Sequence, residues 1–235
     1  MVITHKMASI MIMGDSWACG EWAGHDTAHV VTHPGTRQYL RQRGHDVISV
    51  ARGGHGNATQ VDRLRVYTED PGRPTPDHII WFLSDPCRDI PHTAIARTMR
   101  DYRAQRDLLL RRQFDRVAHL PMALIGGVAP VPAWVDQEYP GFTTLVPDLR
   151  RWLLPHANPC EVLCRTWRYP ECDPGLLSHW EQQERTLTLH EARARQPTTA
   201  EHQWFWPDPI HPNRAAHLRL VDHVIQPYLA QTRRQ

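Results

Sequence analysis

The chain has 235 residues, 41% of them hydrophobic and 22% charged, with a formal net charge of +2. That length suits one α/β domain with a real core, and so small a charge argues against nucleic acid or a membrane as the main partner. The five cysteines (Cys19, Cys87, Cys160, Cys164 and Cys172) are odd in number and irregularly spaced; a core of this size needs no disulfide scaffold, and the set suits a reducing compartment.

The apolar stretch that ends at Met13 runs straight into Gly14-Asp15-Ser16 without a small-residue cleavage site. It reads as a first strand, Ala8 to Met13, and not as a signal peptide. No run approaches the ~20 apolar residues of a membrane helix, so the expected location is cytoplasmic. Thr36 to Arg43 reads as a short helix closed by Gly44, and Asp46 to Ala51 as a second strand. Asn57 to Tyr67 is helical, with Val61, Leu64 and Tyr67 about one turn apart and Asn57 as its cap. His78 to Leu83 is a continuous apolar run, as in a strand buried on both faces. Thr93 to about Val117 is the longest helix; Ile95, Met99, Tyr102 and Leu109 form a stripe that Leu110, Phe114 and Val117 continue. Met122 to Val128 is a fourth strand, Glu161 to Cys164 a candidate fifth, and Leu176 to about Ala194 a further helix. Asn213 to Leu229 closes the chain as an amphipathic helix that Pro227 should kink or shorten.

Strands alternating with helices imply a mainly parallel sheet of about five strands covered on both faces, a flavodoxin-like three-layer α/β/α sandwich. One domain spans residues 1–235, with a loop-rich segment at 130–174 near the site. Ligands of such sheets sit beyond the carboxyl ends of the strands, where Ser16, the Gly53–Asn57 loop and Ser84–Arg88 would converge.

A serine entered through glycine at the end of a buried strand can project its hydroxyl from the sheet edge. It is a poor nucleophile until a base takes its proton. Near the other end, Asp208-Pro209-Ile210-His211-Pro212-Asn213 offers a histidine suited to that task and a carboxylate three residues before it to hold the ring. Either segment alone is an ordinary turn or loop. Together, in this order and spacing, they resemble the SGNH/GDSL hydrolase family. Gly14-Asp15-Ser16 resembles its first block and Asp208 to Asn213 its last. Ala51-Arg52-Gly53-Gly54-His55-Gly56-Asn57-Ala58-Thr59 resembles its second.

The resemblance implies Ser16 as nucleophile, His211 as base and Asp208 as its partner. It implies an oxyanion hole made by the N–H groups of Ser16 and Gly56; a shifted register would give Gly54 that place. The third block departs from the family. Its usual asparagine aligns with Pro86, which has no side-chain or backbone donor. Ser84 and Arg88 are the nearby candidates for the missing donor, whereas Asp85 would repel an oxyanion. Losing one donor costs about 100- to 1,000-fold in turnover. The implied reaction is hydrolysis of a carboxylic ester through an acyl-enzyme, by an esterase or a carbohydrate O-deacetylase, with no metal or organic cofactor. A weakened binding protein on the same fold, or an acyltransferase with the same triad, are the alternatives. Trp17, Trp204, Trp206, Asn57 and Asp85 are the candidate substrate-binding residues, since tryptophans flank the blocks (Trp22 among them) and can stack on sugars. The expected partner is a small-molecule or carbohydrate ester.

Other clusters read as structural. His25, His29 and His33 recur at spacing four, but Gly24 and Thr32-His33-Pro34 point to a solvent-facing loop. Cys160, Cys164 and Cys172, with His156 or His179, lack a second close pair for zinc and read as free thiols. Cys19 has no partner that would make it a nucleophile. Arg97, Arg100, Arg103 and Arg106 are interrupted by Asp101, Asp107 and Asp115 and read as a solvated, ion-paired helix face. The Gly53–Gly56 loop matches neither phosphate-binding pattern.

Overall fold

Alternate residues of each central strand enter different cores. Ile10 and Ile12 of β1 (Ser9–Met13), Ile80 and Phe82 of β5 (His78–Phe82) and Ala123 and Ile125 of β6 (Met122–Ile125) join one cluster. Met11, Met13, Ile79, Trp81, Met122 and Leu124 join another. A strand apolar on both faces has to lie between two layers, and it does. The computed structural model describes residues 7–23, 30–95, 99–155, 203–205 and 211–232. With β4 (Asp46–Ser49) and β7 (Phe142–Val146), the strands form one parallel sheet of order β4-β1-β5-β6-β7. Counting these five strands alone, that is the flavodoxin-like order 2-1-3-4-5.

The first cluster is covered by α1 (Ser16–Cys19), α2 (Thr36–Gln42), α6 (Leu149–Leu153), α7 (Arg214–Leu220) and α8 (Gln226–Thr232), through Trp17, Leu40, Leu153, Leu220 and Leu229. The second is covered by α3 (Asn57–Thr68), α4 (Met99–Asp115) and α5 (Val135–Glu138), through Leu64, Phe114 and Val135. This is the three-layer sandwich expected from the alternation of strands and helices. Among the described residues, no helix is long and apolar enough to cross a membrane.

Several local expectations are corrected. The fifth strand of the sheet is β7 (Phe142–Val146), inside the segment read as loop-rich; α5 and α6 flank it. Two adjacent threonines, Thr143 and Thr144, interrupt its apolar residues, of which Phe142 and Val146 are buried, so the continuous apolar signature of the other strands is missing. Glu161 to Cys164, Leu176 to Ala194 and the remaining cysteine cluster lie outside the described residues, as do His25, His29, Arg97, His156 and His179. His33 is half-buried in β3 (Val30–His33), which pairs antiparallel with β2 (Glu21–Ala23), a hairpin the sequence reading took as loop. Thr32 is the extra residue of a bulge there, and its hydroxyl donates to Glu21 Oε1 at 3.0 Å.

Asn57 does not cap α3. Gly56 stands at that position, and the Asn57 side chain turns to Ser84. Asp89 supplies the cap from another loop, accepting from Ala58 N–H at 3.0 Å. Arg106 on α4 is buried beside Asp107 and is not a solvated face residue. Pro227 does not end the last helix. The chain widens into a π-turn over Val221–Ile225, where Gln226 N–H donates to Val221 O. That shift by one residue just before the proline accommodates its missing N–H and its ring.

Candidate active site

Ser16 opens α1 directly beyond β1. Two local features put it there. Gly14 takes φ +151°, and a Cβ on it would lie 2.6 Å from Ala18 Cβ and 2.8 Å from Phe82 Cβ, so only glycine permits the turn. Asp15 then caps α1, its Oδ1 accepting from Trp17 N–H at 2.9 Å.

The other carboxylate oxygen of Asp15 holds the neighbouring strand end. Oδ2 accepts from Ser84 Oγ at 2.9 Å and from Arg88 Nη1 at 2.8 Å. Ser84 also donates its N–H to Asn57 Oδ1 (2.9 Å) and accepts from Asn57 Nδ2 at its carbonyl (2.7 Å). Arg52 N–H donates to Gly14 O at 3.0 Å. The loops after β1, β4 and β5 are therefore tied together at the carboxyl edge of the sheet.

His211 comes from the far end of the chain. Asn213 fixes it: the side chain caps α7 through Ala216 N–H at 3.0 Å and donates to Gln203 O at 3.0 Å. Two residues before that cap, His211 Nε2 lies 2.9 Å from Ser16 Oγ, although 195 positions separate them. The hydroxyl and the imidazole form a hydrogen-bonded pair with the geometry of a nucleophile and its base. Asp208 and Trp206 lie outside the described residues.

Trp22 on β2 touches both members of the pair. Its Nε1–H donates to Ser16 O at 2.7 Å, and its ring packs 5.5 Å from the His211 ring at an interplanar angle of 35°. In the sequence it is one of several tryptophans that flank the blocks. Its role follows from a hairpin for which no turn signal was recognised.

The remaining candidates divide clearly. Gly56 is buried at the start of α3; a Cβ there would overlap Asp89 Oδ1, which explains the glycine by packing alone. Gly54 is an exposed turn residue with φ +77°. Ser84 and Arg88, the candidates for a third donor, are both engaged by Asp15, and Pro86 is buried at the start of a short 3-10 turn. Trp17, Asn57 and Asp85 are 2%, 0% and 1% exposed and pack inside the fold. Trp17 packs near Phe205, and Asp85 accepts from Cys87 N–H and Tyr102 Oη–H. Trp204 is half-buried with the Arg219 guanidinium 5.1 Å over its ring. Burial, with the Asp15 carboxylate adding to it, pushes the Cys19 thiol up to about 11, which leaves it protonated and inert at neutral pH. No group of metal-ligating side chains forms among the described residues.

No protein-family model and no curated protein matches the chain. Solved structures similar to it include TesA, at 18% identity and a TM-score of 0.43 over 94% of this chain and 98% of that one. A lipase/acylhydrolase from Enterococcus faecalis is 14% identical, with a TM-score of 0.40 over 91% of each chain. A GDSL-like lipase from Bacteroides thetaiotaomicron is 11% identical, with a TM-score of 0.44 over 95% of this chain and 88% of that one.

Proposed function

We propose that the protein is a serine hydrolase of the SGNH/GDSL type that cleaves a carboxylic ester. The observation that carries this reading is the 2.9 Å contact between Ser16 Oγ and His211 Nε2. Ser16 Oγ attacks the ester carbonyl carbon while His211 Nε2 takes the hydroxyl proton. The leaving alcohol receives that proton as its C–O bond breaks, and Ser16 keeps the acyl group. Water, deprotonated by His211, then attacks the acyl carbon and releases the acid, returning the proton to Ser16. Asp208 is assigned the orientation of His211. The N–H groups of Ser16 and Gly56 are assigned the oxyanion.

Pro86 cannot donate, and the Ser84 hydroxyl is given to Asp15. An oxyanion hole of the two amides alone would turn over about 100- to 1,000-fold more slowly than one with a third donor. Among the tryptophans that would stack on a sugar, Trp17 is in the core and Trp204 carries the Arg219 guanidinium over its ring. The substrate class assigned is a carboxylic ester. The test is hydrolysis of a short p-nitrophenyl ester. Ser16→Ala and His211→Ala should each lower kcat by at least about 1,000-fold; rates equal to wild type in either variant contradict the assignment.

A further inference from the structure

Trp22 is held in place by groups other than the base it packs against. Its indole N–H donates to the carbonyl of Ser16. Its ring edge occupies the space beside Gly53, where a Cβ would lie 2.8 Å from Cη2 and 3.1 Å from Cζ2. The residue before it, Glu21, is 6% exposed and holds Arg214, three positions beyond His211. It accepts from Arg214 N–H at 2.8 Å and from the guanidinium at 2.7 Å, with Thr32 backing it. Adjacent residues of one strand thus grip the histidine ring and the backbone that carries it.

We infer that Trp22 is a positioning residue for His211, its ring holding the imidazole toward Ser16 and favouring the imidazolium formed when Ser16 gives up its proton. The inference rests on the serine-hydrolase reading above. An aromatic face attracts a cation, and more strongly where water is thinned. A charge that develops only during the reaction is stabilised by such a face mainly in the transition state, which raises kcat without tightening substrate binding. Gly53 belongs to the same device, because only a residue without a Cβ leaves room for the indole.

The experiment measures kcat and KM on a p-nitrophenyl ester for wild type, Trp22→Leu, Trp22→Phe and Gly53→Ala, with thermal unfolding of each. Trp22→Leu should lower kcat ~10-fold with KM within about twofold. Trp22→Phe, which keeps a ring face, should return to within about threefold of wild type. Gly53→Ala leaves Trp22 present but pushes it aside, and should reproduce the kcat loss. A rise in KM alone would make Trp22 a substrate platform and overturn the inference. So would an unchanged kcat in Trp22→Leu, or a loss that Trp22→Phe does not recover. Folded wild-type protein that hydrolyses no ester and takes no fluorophosphonate on Ser16 would instead sink the hydrolase reading, and this inference with it.

Discussion

Asp15 performs three tasks with one side chain. It caps the helix that carries Ser16, and it binds both Ser84 and the Arg88 guanidinium from the next strand end. The carboxylate is fully buried and Arg88 mostly so. Removing one member of such a pair leaves the other's charge without its partner, which costs about 3 kcal/mol. Asp15→Ala should therefore lower unfolding stability in urea by about that amount, whereas Asp15→Asn keeps the cap and should lose less. A loss under about 0.5 kcal/mol in Asp15→Ala would show that the network contributes little. The same residue explains why the third donor could not be read from the chain. Ser84 and Arg88 were chosen because they can donate, but a side chain's ability to donate does not reveal which acceptor has already claimed it.

At the scale of elements, the hairpin β2–β3 and the start of α7 behave as one unit, and its ionisable groups give it a pH signature. His217 on α7 is fully buried and hydrogen-bonds Thr36 Oγ1 at 2.9 Å. Burial pushes its imidazole down to about 4, with His33 and His211 adding to this and the Gly20 backbone and Glu21 opposing. Below its ordinary value of 6.5 the unfolded chain takes up a proton that the folded chain refuses. Stability therefore falls as pH drops from 6.5 toward 4, by up to about 1.4 kcal/mol per pH unit. Glu21 acts in a lower window. Burial raises its carboxyl, but hydrogen bonds from Arg214 and Thr32 outweigh that and hold it at about 2. Its contribution, discounted because the Arg214 side chain is exposed, is present above pH 4.5 and lost as pH falls through 2. Urea unfolding at pH 7, 5.5 and 4.5 should show a decline in wild type that is flatter in His217→Gln. Parallel curves for the two proteins would contradict a neutral buried His217. None of this was visible in the sequence. Arg214 is 193 positions from Glu21, and the bulge at Thr32 breaks the period-two pattern that marks a strand.

Across the whole molecule, the sheet was legible where strands are apolar on both faces. For that reason the expected strands Ala8 to Met13, His78 to Leu83 and Met122 to Val128 overlap Ser9–Met13, His78–Phe82 and Met122–Ile125. Phe142 to Val146 lies at the sheet's edge with two threonines, carries half the signal, and was missed. The pairing of Ser16 with His211 was legible only through the resemblance of both segments, in their order and spacing, to the SGNH/GDSL blocks, because either segment alone reads as an ordinary turn or loop. The burial of Trp17, Asn57 and Asp85 was not legible, since it depends on contacts that no local pattern encodes. The central claim is that folding brings the two ends of the chain together to activate Ser16. The most direct measurement is labelling by a fluorophosphonate, located by mass spectrometry, in wild type, Ser16→Ala and His211→Ala, with and without denaturing urea. The result expected is a single adduct on Ser16 in the folded wild type, absent from both variants and lost as the chain unfolds. A folded wild type that takes no label, or a His211→Ala protein labelled as fast as wild type, would contradict it.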